Sequence, residues 1–119
     1  MVVKYDSLSV LNLPGRDLRL AIDPKKNGVG NITVIVTEIP AGSELPVHTH
    51  EDGEEIMYFI AGQAETVCDD EVIRVNPGDI FDVLPGSVHT VRNVGQETVR
   101  MFCVFNPPIG TDHFYAQAK

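Results

Sequence analysis

Apolar and polar positions alternate along most of this chain in short runs, and turn residues interrupt them about every eight to twelve positions, the rhythm of an all-β protein. Ile32, Thr33, Val34, Ile35, Val36 and Thr37 form a β-branched run without helical spacing. It stops at Pro40, Ala41 and Gly42. The same logic predicts strands over residues 17–22, 45–50, 55–60, 63–68, 71–75, 80–84, 88–93 and 97–105. Asp52-Gly53 reads as a tight hairpin, and Ala61-Gly62, Asp69-Asp70, Asn76-Pro77-Gly78, Pro85-Gly86-Ser87 and Asn93-Val94-Gly95 as further turns. Residues 23–30 read as a polar, glycine-bearing loop, and residues 111–119 fit either a short helix or a loose end. No segment carries an amphipathic helix pattern, so a sandwich or barrel of short strands is expected.

Facing follows from the period of two along a strand. With Glu55 pointing inward, Met57 and Phe59 share its side, while Ile56, Tyr58 and Ile60 point outward. Both faces of that strand are apolar, which predicts that both are covered. Val91 and Asn93 share the face of His89. In the last strand Arg100 should meet water, sending Val99, Met101, Cys103 and Phe105 inside. The interior would then be a mostly apolar cavity with one polar patch, the common form of a small-molecule site.

Composition narrows the partners. A chain of 119 residues makes one domain able to bury its own core. Its net charge of −8 disfavours nucleic-acid backbones and anionic membranes. Lys25-Lys26, the only basic pair, reads as part of a solvated loop. No apolar run reaches the ~20 residues of a membrane span, and the first residues lack secretion-signal features. A cytoplasmic protein is expected. Cys68 and Cys103 have neither CxxC spacing nor a nearby histidine and read as ordinary thiols.

Four residues stand out chemically. His48 and His50 are two apart, so a strand would aim both at one centre, with Glu55 and His89 arriving from neighbouring strands. Three imidazoles and a carboxylate form a mixed nitrogen–oxygen set suited to one divalent transition metal ion. The residues lie in two glycine frames, Gly42-x5-His48-x-His50-x4-Glu55-x6-Gly62 and Gly78-x7-Gly86-x2-His89-x3-Asn93. Glu54, the rival carboxylate, is one position off this spacing and on the opposite strand face. His113 has no such frame and reads as a tail residue.

These frames resemble the two motifs of the cupins, a superfamily of small jelly-roll β-barrels. The family's first motif, Gly-x5-His-x-His-x3–4-Glu-x6-Gly, is met at every fixed position. In its second, Gly-x5-Pro-x-Gly-x2-His-x3-Asn, Leu84 replaces the proline, with Pro85 immediately after it. The resemblance covers residues 42–93 and implies a single cupin domain over 1–119, a double-stranded β-helix with an N-terminal strand segment (1–30) and a C-terminal tail (107–119). It also implies that His48, His50, Glu55 and His89 hold one metal, with Fe2+ or Mn2+ ranked ahead of Zn2+ or Ni2+. Four ligands leave two of six octahedral positions open to water, oxygen or substrate.

Met57, Phe59, Gln63, Met101, Cys103 and Phe105 are the candidates for the pocket wall. An enzyme acting on a small oxygenated organic molecule chelated to the metal leads the functional readings, dioxygenase-like or an isomerase, cyclase or lyase. A non-catalytic module for a small metabolite or carbohydrate, and a scaffold role, stay open beside it. The apolar outer face and the resemblance together imply a homodimer.

Overall fold

The structure, a computed structural model, describes residues 1–118. Nine strands carry the fold: β1 (Leu11–Leu13), β2 (Arg16–Ile22), β3 (Thr33–Ile39), β4 (Glu54–Ala61), β5 (Ala64–Cys68), β6 (Glu71–Val75), β7 (Ile80–Val83), β8 (His89–Asn93) and β9 (Val99–Asn106). A short helix α1 (Pro24–Asn27) lies in the loop after β2, and α2 (Asp112–Gln117) follows the last strand. The strands make two antiparallel sheets, one ordered β1-β2-β3-β9-β4-β7 and the other β6-β5-β8. The all-β expectation therefore holds, and the tail takes the helical of its two options.

Alternation dictates the core. Along β9, Val99, Met101, Cys103 and Phe105 are buried, and along β4, Glu55, Met57 and Phe59 are buried. Val91 on β8 and Ala64 on β5 face them from the smaller sheet within the same apolar cluster. Arg100 points outward as expected, where it joins Tyr5, Arg19 and Glu38 in a surface group of hydrogen bonds and ion pairs. The outer face of β4 is not covered in the single chain: Tyr58 and Ile60 are each 43% exposed, with Phe102 and Ile80 also open.

Two local expectations are corrected. Residues 45–50 form no regular strand; only the isolated bridges Glu44↔Arg92 and His48↔His89 tie this segment to β8. Pro46 interrupts it, because proline has no N–H to give a ladder. The segment is nevertheless fixed, with Leu45 N–H donating to the Val91 carbonyl (3.0 Å) and His48 and His89 exchanging both backbone bonds at 3.0 Å. Asp52-Gly53 is not a tight hairpin turn either. β4 pairs with β7 and β9, so residues 50–53 carry the chain from the smaller sheet to the larger. Gly62 makes the reverse crossing at φ +83°, where a Cβ would come 2.7 Å from the Thr98 carbonyl oxygen. Asp69-Asp70 does form the β5–β6 turn, both residues taking positive φ. The sequence pattern also missed β1 and α1, which are too short for periodicity to register.

A candidate metal centre

The two sheets meet at the four singled-out residues. Glu55 is the second residue of β4, paired to Val83 on one side and Phe105 on the other. His89 opens β8, opposite Cys68 on β5. His48 and His50 come from the irregular segment, the first pinned by its bridge to His89, the second by the Gly86 N–H donating to its carbonyl at 2.9 Å. One possible ligand atom from each of His48, His50, Glu55 and His89 lies within 4.8 Å of all the others. Glu54 falls outside this group and stands beside Asp82, whose carboxylate raises its pKa.

Imidazole orientation is set by backbone carbonyls. His48 Nδ1 lies 2.7 Å from the Pro46 carbonyl and His89 Nδ1 lies 2.9 Å from the Ser87 carbonyl. A carbonyl can only accept, so each Nδ1 carries the proton and each Nε2 is left with a lone pair, the tautomer a metal ligand needs. His50 Nε2, His89 Nε2 and Glu55 Oε1 are buried and have no hydrogen-bond partner. Glu55 Oε1 sits 3.2 Å from His50 Nε2 and 3.6 Å from His89 Nε2, with no hydrogen bond to either. Buried polar atoms are rarely left unsatisfied. Lone pairs converging without bonding one another fit a cation between them, and the His-His-Glu-His cluster suits a metal ion.

Protonation states agree. Burial, with the neighbouring imidazoles of His89 and His50, lowers the His48 pKa to about 4 against the opposing bond to Pro46, keeping the ring neutral near pH 7. Burial pushes the Cys103 thiol well up, and Glu55 pushes it further, so it lines the site as a neutral thiol.

A cavity of about 510 Å3 opens in front of the cluster. Three of the expected wall residues, Met101, Cys103 and Phe105, line it. Met57 and Phe59 do not line it and lie in the core behind, and Gln63 faces solvent, where its Oε1 accepts from Arg74 at 2.8 Å. Other walls escape sequence reasoning altogether. Arg16 enters from the start of β2, and His113, Phe114 and Gln117 from α2. α2 is held there by buried Phe114 and by the Thr111 hydroxyl donating to Asp23 at 2.7 Å. No periodicity links residues 16 and 113–117 to the motifs; only the tertiary packing does.

The model of the cupin domain family matches residues 35–105, which contain all four cluster residues. The chain belongs to the cupins. It is 34% identical over 80 residues to quercetin 2,3-dioxygenase of Bacillus subtilis, covering 67% of this chain and 24% of that protein. It is 36% identical over 76 residues to L-ectoine synthase of Hahella chejuensis, covering 62% of this chain and 55% of that one. Each match thus spans about half or less of the relative's length. Among solved structures, ectoine synthase from P. lautus superposes with a TM-score of 0.82 over 98% of this chain and 85% of that one, at 23% identity, a likeness of fold.

Proposed function

We propose that this cupin is a metal-dependent enzyme acting on a small oxygenated organic molecule that chelates an ion held by His48, His50, Glu55 and His89. The observation that carries the reading is the convergence of unpaired His and Glu atoms at the wall of a cavity of about 510 Å3. That volume lies in the range of small-molecule sites. A divalent ion there would act as a Lewis acid on the bound oxygen donors. Fe2+ or Mn2+ leads Zn2+ or Ni2+ by the family resemblance, since the mixed nitrogen–oxygen donor set accommodates all four. The chain's own residues supply the rest. Met101 and Phe105 exclude water from one side, and the Pro46 and Ser87 carbonyls hold two imidazoles in their ligating orientation.

Relatives named as a dioxygenase and as a synthase support a reactive rather than a merely binding pocket. Oxygen-using chemistry leads isomerase, cyclase or lyase chemistry. The open apolar face of β4 supports a homodimer in which Tyr58 and Ile80 are covered.

Metal-loaded protein incubated with pools of small hydroxy, keto and carboxylic acids, with and without oxygen, tests the reading by mass spectrometry of the small molecules. Metal-dependent conversion of a pool member, absent in His48→Ala, is expected. A ligand that binds tightly and is always recovered unchanged would instead establish the non-catalytic module.

A further inference from the structure

Among the described residues, Arg16 is the one fixed positive charge on the cavity wall. Its placement is built in. Pro14 and Gly15 turn the chain between β1 and β2, with Leu13 paired to Arg16 across the turn. Gly15 sits at φ +78°, and a Cβ there would come 2.1 Å from the Glu44 carbonyl oxygen. The hairpin tip is therefore seated against the segment that carries His48 and His50. Among the described residues, Arg19 and Arg100 pair with Glu38, Arg92 pairs with Glu44, and Arg74 bonds Gln63. Among the described residues Arg16 has no side-chain partner; one of its five N–H groups donates to the Pro14 carbonyl at 2.9 Å. It is partly buried, in a protein whose net charge is −8, and no acid among the described residues pairs with it.

We propose that Arg16 is a specificity-determining residue whose guanidinium binds a carboxylate of the substrate, so that the pocket takes small acids bearing a carboxylate in addition to the metal-chelating group. The planar fork of arginine matches a carboxylate with two parallel bonds. A divalent ion held by one carboxylate and three neutral imidazoles leaves one positive charge at the centre, and Arg16 adds a second. Ligands with two anionic groups complement both. Thr37 and Thr49 line the same wall, and His113 stands close enough to Arg16 for their charges to interact.

The inference rests on the metal-site reading above, and its test separates the two. Protein reconstituted with Mn2+ is titrated calorimetrically with malonate and succinate, with their neutral diamides, and with inorganic phosphate, while bound metal is measured alongside. Wild type should bind a dicarboxylate and not its diamide. Arg16→Gln should weaken that binding at least about ten-fold, the loss expected of a charge-assisted bond, with metal content unchanged, and Arg16→Lys should recover part of it. Equal binding by Arg16→Gln with metal in place overturns the role of Arg16 and leaves the metal site standing. Wild-type protein that holds metal but binds no carboxylate, or prefers phosphate, overturns the substrate class. A chain that takes up no Mn2+ sinks the metal reading instead; Arg16 is then judged by the same carboxylates on the metal-free protein, where an unchanged affinity in Arg16→Gln overturns it.

Discussion

At the residue scale, the centre depends on lone pairs that face one another without bonding, and on the groups that keep them so. Replacing Glu55 by Gln keeps the shape and removes the only anionic group of the four-residue cluster. Metal affinity should fall by roughly 100-fold or more, above the ten- to hundred-fold typical of a merely supporting residue, as read by competition with a chromogenic chelator. His48 gives the pH dependence. Its pKa is about 4 in the folded chain and near its ordinary value of 6.5 in the unfolded one, so between these pH values the unfolded chain binds the extra proton. Stability of the metal-free protein should therefore be fully present above about pH 6.5 and decline as pH falls toward 4. Thermal midpoints measured down this range check the sign, and His48→Gln should flatten the slope. Asn93 illustrates how much was readable. Its place in the motif suggests a local backbone bond, and Gly95 N–H does donate to its side chain at 2.9 Å. Its amide also donates at 2.8 Å to the carbonyls of Glu97 and of Ile39, 54 positions away, which no local pattern reveals. Asn93→Asp would set an acceptor against both carbonyls and should cost about 2–4 kcal/mol in urea unfolding.

At the scale of elements, β2 to β9 were legible because each alternates or carries β-branched runs between glycine, proline or aspartate turns. What each strand pairs with was not. The Asp52-Gly53 signal is a genuine turn composition, but β4 finds β7 and β9 rather than the segment before it, a choice made by the whole core. The segment carrying His48 and His50 reads as a strand through its alternation, and Pro46 with only two isolated bridges shows why alternation is insufficient there. Gly62 is where the chain leaves one sheet for the other. Gly62→Ala would combine left-handed backbone strain with a close approach to Thr98 and Val99, and should destabilise by about 2–4 kcal/mol. A denaturant midpoint shift of that size with an unchanged slope is the expected readout. α2, unresolved between helix and loose end by sequence alone, becomes part of the cavity wall through Phe114 and Thr111.

At the scale of the whole molecule, two antiparallel sheets bring a carboxylate from one and a histidine from the other to a single point, with the crossing segment adding two more imidazoles. Motif spacing made those four residues readable because the glycines that frame them mark chain crossings. Alternation along β9 also made Met101, Cys103 and Phe105 readable as wall, whereas the part supplied by the first hairpin and the last helix was opaque. Outside, the apolar patch of Tyr58, Ile60, Ile80 and Phe102 makes the proposed homodimer testable. Hydrodynamic mass should be about twice the 13.0 kDa chain, and Ile80→Glu should return it to the single-chain value.

The central claim, a divalent ion held between the two sheets, is met most directly by elemental analysis of protein purified without a metal-affinity tag, wild type beside His89→Ala. The account predicts about one transition-metal ion per chain in wild type, and its loss from a variant that keeps its far-ultraviolet spectrum. Wild-type protein that stays metal-free even after reconstitution, or a variant that retains the full complement, would contradict it.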